Sequence, residues 1–322
     1  MTDVRTDEIK HVGRRTGSRS HERAGVADVD CTGKQALVTG STSGIGRAAA
    51  VALGRLGADV IVHGRDTAAG ERAVEDIEAV GADAWFVAAD FADEAAVREL
   101  AGTVRAETDG LDLLVNNAGG LFRDGRLTDL GIEYTFHVNH LSPYLLTTEL
   151  LDHLRPGARV VTTASAAHRG TSLDLDAVRS VDGHSGTRAY GHSKLANVLF
   201  SAELARRLEA DGREVTANSV HPGAIPGSGF SRFLPGPLPN LVQLLEAVPG
   251  VTSVEDGAAE LLFAGVSPRT ADVSGRYFAG QQPKTPSSAA RDPEAARRLW
   301  AFSAEVLGVD EPLVEAAPAE GS

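Results

Sequence analysis

The chain has 322 residues, of which 42% are hydrophobic and 23% charged, a composition typical of a globular protein with a full core. Its formal net charge of −13 argues against binding to nucleic acid, because contacts with phosphate groups need a basic surface. No apolar run reaches the roughly 18 residues that cross a bilayer, so no transmembrane segment is expected. A single cysteine excludes an internal disulfide and a thiolate metal site, and no other metal-ligand spacing occurs in the sequence, so no metal is expected.

The first 32 residues are polar and charged and lack the apolar stretch of a secretory signal. This composition predicts a disordered N-terminal extension over residues 1–32 and a cytoplasmic location. One domain is expected over residues 33–311, followed by a C-terminal tail over 312–322.

Within residues 33–311, short apolar runs alternate with longer amphipathic patterns. Strands are predicted at 35–39, 59–63, 85–89, 111–115, 159–163, 214–220 and 276–278, and helices at 45–56, 71–80, 94–107, 134–154 and 188–209. A last helix is predicted to start with Asp292 as N-cap and Pro293 in its first turn. Strands that alternate with helices form βαβ units. The predicted fold class is therefore α/β: a single-domain, Rossmann-type, doubly wound parallel sheet in three α/β/α layers. The segments 168–187 and 224–249 fall outside the alternation, and the second, rich in proline and glycine, is predicted to be a mobile apolar lid near a site.

A glycine-rich turn, TGSTSGIG, joins the first predicted strand to the first predicted helix. Glycines let the backbone turn sharply and approach a ligand, and the start of the next helix would direct its free N–H groups at a pyrophosphate. The spacing differs from G-x-G-x-x-G, and tight packing of the turn is the alternative. The predicted cofactor contacts in this turn are Gly40, Ser41, Thr42, Ser43, Gly44, Ile45 and Gly46.

The run His63-Gly64-Arg65 at the end of the second predicted strand bears on the choice of cofactor. Enzymes that use NAD carry an acid there for the ribose hydroxyls, whereas this chain has Arg65, a planar cation suited to a 2′-phosphate. NADP(H) is therefore favoured, with NAD(H) as the alternative, since Asp66 could instead pair with Arg65. Asp90, after the third strand, could bond an adenine amino group or act as a turn carboxylate.

Tyr190 and Lys194 lie four residues apart in a predicted helix and therefore share one face. An ammonium beside a phenol favours the phenolate and lowers the pKa of the tyrosine toward values useful for acid/base chemistry. An ordinary helical pair is the alternative. Ser165, at the carboxyl end of the fifth strand, could bond a substrate oxygen, and Asn139, within a long helix, could hold a water or a backbone carbonyl. Asn116–Gly119, which ends the fourth strand, could line the cofactor trench or form a simple turn.

Together these residues resemble the short-chain dehydrogenase/reductase superfamily over about 275 residues from Thr39 onward, and most closely its retinol-dehydrogenase-like branch. The matching motifs are Thr39–Gly46, Asn116–Gly119, Asn139, Ser165, the Tyr190/Lys194 pair and His221-Pro222-Gly223. The resemblance implies a cofactor trench that includes Asn117, Ala118, Gly119, Pro222 and Gly223.

The resemblance also implies an activity, hydride transfer between a nicotinamide cofactor and a carbonyl or alcohol, here expected to be medium-sized and apolar. Tyr190 would act as general acid/base, and Lys194 would lower its pKa and bind the nicotinamide ribose. Ser165 would orient the substrate oxygen, and Asn139 would support a proton-relay water. The family analogy allows a homo-oligomer. The alternative is a catalytically silent cofactor-binding sensor or structural protein, and an extended sugar-nucleotide epimerase is disfavoured because a larger C-terminal domain is missing.

Two positions depart from the family pattern. Gly227 stands where the family usually has a threonine close to the nicotinamide amide. Pro143, four residues after Asn139, replaces a family histidine and could kink the helix.

Overall fold

The computed structural model describes residues 19–223 and 252–313, and the strands in these ranges form one sheet of eight in the order β3-β2-β1-β4-β5-β6-β7-β8. Strands β1 to β7 are parallel, and β8 pairs antiparallel with β7. The strands are β1 Gln35–Val38, β2 Asp59–Gly64, β3 Ala84–Ala88, β4 Leu111–Asn116, β5 Leu154–Thr163, β6 Thr216–His221, β7 Tyr277–Ala279 and β8 Pro283–Lys284. The order reverses between β1 and β4, which is the doubly wound arrangement that the sequence predicted.

Helices cover both faces of the sheet. In the described ranges they are α1 Ser20–Arg23, α2 Gly44–Arg55, α3 Thr67–Glu78, α4 Glu94–Glu107, α5 Tyr134–Phe136, α6 Ser142–Glu149, α7 Gly186–Ala210, α8 Val254–Val266 and α9 Pro293–Val306. One buried cluster lies between the sheet and α2, α3 and α8, and the other between the sheet and α4, α6, α7 and α9. Neighbouring strand residues such as Leu37 and Val38 face opposite clusters, which explains why the strands are continuously apolar.

Side-chain caps fix where most of the long helices begin. Asp292 caps α9 and Pro293 opens it, as predicted, and Asp93 caps α4. Ser253 and Asp256 form a capping box at the start of α8. The sequence pattern did not indicate α8, because its residues 257–265 are all buried and it therefore lacks a polar face.

The long helix predicted at 134–154 is interrupted in the structure. It is divided into α5, a π-helical segment His137–Leu141, α6 and a short 3₁₀ turn, and β5 begins already at Leu154. Pro143 has no N–H to donate to the carbonyl of Asn139, so the regular α-helical ladder cannot continue there. The expected irregularity at Pro143 is thus a widened turn centred on Asn139.

The sequence predicted disorder up to residue 32, but in the structure residues 19–32 pack against the domain. Ala24, Val26 and Cys31 are buried in the cluster beneath α2 and α8, and Arg23 pairs with Asp256. Small apolar residues spaced along a polar segment contribute to the core without producing a helical or strand pattern. The polar composition of the segment therefore gave no indication that they are buried. Residues 1–18, the predicted lid at 224–249 and residues 314–322 of the predicted tail lie outside the described residues.

Candidate active site

A cleft of about 1010 Å³ opens at the carboxyl ends of the strands, where the order of the sheet reverses between β1 and β4. Connections leave these two strands in opposite directions, which opens a crevice there. The predicted site residues that line the cleft are Gly40, Thr42, Ser43, Gly44, Ile45, Gly46, Arg65, Asp90, Asn117, Ala118, Gly119, Ser165, Tyr190, Lys194, Pro222 and Gly223.

The glycine turn after β1 is fastened to the turn after β4. The hydroxyl of Thr39 accepts hydrogen bonds from the backbone N–H groups of Asn117 and Ala118, at 2.9 and 3.0 Å. The Asn117 amide in turn donates to the carbonyl of Thr39 at 2.9 Å. Gly40 has a φ of 65° and approaches Ala118 so closely that a side chain would not fit, which explains the glycine.

The start of α2 offers unsatisfied N–H groups to the cleft. Ser43 is its N-cap residue but makes no side-chain cap hydrogen bond, in contrast to the caps of α4, α8 and α9. Gly44, with a φ of 56°, has open space where a side chain would lie. An uncapped helix start with an open approach suits a phosphate, so this turn fits the pyrophosphate of a dinucleotide.

Ser41 and His63 hold the glycine turn from inside. The side chain of Ser41 is fully buried and does not line the cleft, so the predicted cofactor contact is corrected to a structural one. Its hydroxyl donates to Val38 O at 2.6 Å and accepts from His63 N at 3.0 Å. His63 was missed by the sequence analysis. Its Nδ1 accepts from Gly40 N at 3.2 Å and its Nε2 donates to Ala89 O at 3.2 Å, and burial lowers its pKa to about 4, so the ring is neutral.

Arg65 lies at the β2 end of the cleft and pairs with Asp90. Their closest N and O atoms are 3.5 Å apart, and the side chains are 60% and 47% exposed, so the pair is loose and easily exchanged. Asp66, the partner considered from the sequence, instead caps α3 by accepting from Ala69 N. Arg65 is therefore positioned to bind an anionic group that enters this end of the cleft.

Ser165, Tyr190 and Lys194 come together at the other end. Ser165 follows β5, and its side chain hydrogen-bonds with Tyr190, which lies in the first turns of α7. Lys194, 3% exposed, donates to Thr163 O at 2.8 Å, and its Nζ is 5.6 Å from the centroid of the Tyr190 ring. The phenol, the hydroxyl and the amine thus share one corner of the cleft.

The pKa of Tyr190 departs from the expectation drawn from the Tyr/Lys pair alone. Burial raises it above its ordinary value, and the hydrogen bond with Ser165 only partly opposes this rise. Burial also lowers the pKa of Lys194 to about 8, so the amine keeps most of its charge at pH 7 and loses it as the pH rises through 8. The phenol is therefore protonated in the structure as it stands.

Asn139 acts as a clamp rather than as a free ligand. Its Nδ2 donates to Gly120 O and to Ser193 Oγ, both at 2.9 Å, and its Oδ1 accepts from Gly120 N at 2.9 Å. Because both ends of the amide are occupied, its side chain ties the turn after β4 to the helix that carries Tyr190. The backbone carbonyl considered from the sequence is that of Gly120, and the proton-relay water stays a prediction. Asn116 is buried beneath the trench and donates to Thr147 Oγ1 at 2.8 Å.

An apolar wall lines part of the cleft and was not expected from the sequence; the backbone of Phe122, one of its members, packs against Gly186 at the start of the helix that carries Tyr190. Leu121, Phe122, Tyr134 and Val138 line the cleft here, and the rings of Phe122 and Tyr134 pack edge to face with centroids 4.8 Å apart. Leu121 and Phe122 lie between β4 and α5, where the chain has no strand or helix pattern, so nothing in the sequence marked them as neighbours of Tyr134 and Val138.

A doubly wound sheet with a glycine turn, a tyrosine and a lysine at its carboxyl edge defines a dinucleotide-dependent oxidoreductase domain. Residues 34–232 match the family model described as short chain dehydrogenase, which is more than half of the chain. The chain therefore belongs to this family of NAD(P)-dependent oxidoreductases.

Individual relatives define the branch. The chain is 38% identical over 301 residues to retinol dehydrogenase 13 of Homo sapiens, covering 89% of this chain and 88% of that protein. It is 38% identical over 284 residues to polyprenol dehydrogenase of Mus musculus, covering 86% of this chain and 84% of that protein. The sequence-based assignment to the retinol-dehydrogenase-like branch is confirmed.

A solved structure shares the fold. A short chain dehydrogenase from Burkholderia cenocepacia J2315 in complex with NADP has a TM-score of 0.62 and 31% identity, covering 81% of this chain and 99% of that one. Among the helices of residues 19–223 and 252–313, none combines the length and apolar character needed to cross a membrane.

Proposed function

We propose that the protein transfers a hydride between NADP(H) and a medium-sized, apolar carbonyl or alcohol, with Tyr190 as general acid/base. The observation that carries this proposal is the meeting of Ser165, Tyr190 and Lys194 at one corner of a cleft whose glycine turn fits a pyrophosphate. The cytoplasmic location and the homo-oligomer remain predictions.

The cleft offers suitable residues for each part of a dinucleotide, from one end to the other. Arg65 follows β2 and Ser165 follows β5, which is three strand spacings, or about 14 Å, along the sheet edge. The start of α2 would hold the pyrophosphate between them, and Asn117 to Gly119 would line the trench. Arg65 would exchange its loose contact with Asp90 for the 2′-phosphate, which is the reason for the proposed NADP(H) preference. When bound, the nicotinamide supplies or accepts the hydride.

The proton would move through the hydroxyl of Tyr190. In the reducing direction the protonated phenol donates to the substrate oxygen, while Ser165 donates a hydrogen bond to the same oxygen and orients it. In the oxidising direction Tyr190 must first lose its proton, and the neighbouring charge of Lys194 favours the phenolate. Asn139 keeps the helix of Tyr190 in register with the trench.

The apolar wall supports the substrate class. Leu121, Phe122, Tyr134 and Val138 line the same cleft as Tyr190, and none of them carries a charge. The relatives named for retinol and polyprenol are named for alcohols of apolar molecules, in agreement with such a wall.

Turnover tests the proposal. NADPH oxidation is measured with a panel of apolar aldehydes, ketones and quinones, for the wild type and for Tyr190→Phe. The wild type should turn over at least one of them, and the variant should lose about 10²-fold or more in kcat while still binding NADPH. If wild type and variant bind NADPH and are equally inactive, the chain is a silent cofactor-binding protein instead.

A further inference from the structure

His168 links the turn that carries Ser165 to the chain segment between β8 and α9. Its ring is fully buried, its Nδ1 donates to Ser165 O at 2.6 Å, and its Nε2 accepts from Ser287 N at 3.1 Å. The next residue adds a second link, because Arg169 donates to Thr285 O at 2.9 Å. Two segments more than a hundred residues apart are therefore joined directly behind Ser165.

The chemistry of this link requires a neutral imidazole in one tautomer. The proton is on Nδ1, where it meets a carbonyl, and the lone pair is on Nε2, where it meets an N–H. The ring of Tyr277 packs edge-on against it, with centroids 5.0 Å apart, and fixes its plane. Burial lowers the pKa of His168, which keeps the ring neutral at physiological pH.

The turn that His168 holds is also the one that contacts α7. The hydroxyl of Ser165 accepts from Ala167 N at 3.2 Å, and its side chain reaches Tyr190. Gly191, next to Tyr190, lies so close to Ala167 O that an added Cβ would be 2.8 Å away. A shift of this turn would therefore alter the Ser165 to Tyr190 contact directly.

We propose that His168 is a positioning residue, which sets the place of Ser165 through the carbonyl of that residue and thereby holds the Ser165 to Tyr190 hydrogen bond. His168 does not line the cleft, so it acts on the reaction indirectly, by the proposed route through Ser165. The effect of His168 on a reaction rests on the proposed function, which assigns catalysis to Ser165 and Tyr190. The geometric content of the proposal is independent of turnover.

Two partial replacements separate the two hydrogen bonds of the ring. His168→Asn retains a donor where Nδ1 lies and loses the acceptor for Ser287. His168→Gln retains an acceptor that reaches Ser287 and loses the side-chain donor to Ser165 O, which keeps only the backbone N–H of residue 168 at 3.2 Å. We expect kcat to fall about tenfold in His168→Gln and in His168→Ala, the effect of one lost positioning hydrogen bond, and to stay within about twofold in His168→Asn. The KM for NADPH should not change, because the glycine turn is untouched.

A double-mutant cycle with Ser165→Ala tests whether the effect passes through Ser165. Adding His168→Ala to Ser165→Ala should cause no further loss of kcat. Losses that multiply in the double variant, or a kcat of His168→Asn as low as that of His168→Ala, would overturn the proposal. Thr270→Ala is the control, because this buried hydroxyl, which donates to Phe263 O at 2.9 Å, is remote from the cleft lining and its loss should leave kcat unchanged.

A crystal structure of His168→Gln gives a readout that needs no turnover. The distance between Ser165 Oγ and Tyr190 Oη should exceed about 3.5 Å there and remain a hydrogen bond in His168→Asn. An unmoved Ser165 in His168→Gln overturns the proposal, whatever the activity. If Ser165 moves but the wild type turns over no substrate, the proposed function fails and the positioning role stands.

Discussion

Replacement of Asn139 by alanine tests whether this side chain is a clamp between the cofactor trench and the helix of Tyr190. The substitution removes three hydrogen bonds of a buried side chain, two with the backbone of Gly120 and one with Ser193. At about 1 kcal/mol for each neutral hydrogen bond, the free energy of unfolding should fall by about 3 kcal/mol. The expected kinetic result is a reduced kcat, because both the trench and the helix of Tyr190 lose a shared support.

Asn116 provides the matched control for this measurement. It is also a buried asparagine, but it makes one described hydrogen bond, to Thr147, and its Oδ1 has no partner among the described residues. Asn116→Ala should therefore cost about 1 kcal/mol or less. Urea unfolding followed by circular dichroism measures both variants. The clamp is refuted if Asn139→Ala loses no more stability than Asn116→Ala.

Two further predictions concern the charged groups of the cleft. Arg65→Asp should lower the ratio of kcat/KM for NADPH to that for NADH by about tenfold to a hundredfold, the worth of a charge-assisted hydrogen bond, and an unchanged ratio would refute the 2′-phosphate contact. Lys194→Met should abolish turnover. It should also raise the free energy of unfolding near pH 7 by up to about 3 kcal/mol, because the folded state depresses the pKa of Lys194 from 10.5 to about 8. Between these two pKa values the unfolded wild type binds more protons than the folded protein, so its stability rises with pH. The excess stability of the variant over the wild type should therefore shrink from about pH 8 to 10.5. A constant difference in the free energy of unfolding across that range would contradict a buried amine at this position.

The sequence predicted the architecture because the signals that determine it are local. Continuous apolar strands indicated a sheet covered on both faces, and the caps at Asp292 and Pro293 marked a helix start that the structure retains. Where a helix is buried all round, as α8 is, or widened by a proline, as at Asn139, the periodicity that identifies helices is lost.

The sequence indicated which candidate catalytic side chains meet at the cleft, but not the residues that hold them in place. The motifs and their order along the chain were enough to predict that Ser165, Tyr190 and Lys194 lie close together. The roles of His63 and His168 depend on hydrogen bonds to partners 23 and 119 positions away in the chain, which no local pattern encodes. The pKa of Tyr190 likewise depends on burial, which follows from packing and not from the Tyr/Lys spacing.

Hydride transfer is tested most directly by isotope. NADPH deuterated at C4 of the nicotinamide ring, on either face in separate samples, is incubated with the wild type and the most active carbonyl of the panel, and the alcohol is analysed by mass spectrometry. Hydride transfer should place one deuterium on the former carbonyl carbon from one of the two labelled samples, and none above background with Tyr190→Phe over the same time. Alcohol formed without deuterium from either sample would rule out direct hydride transfer from the nicotinamide ring.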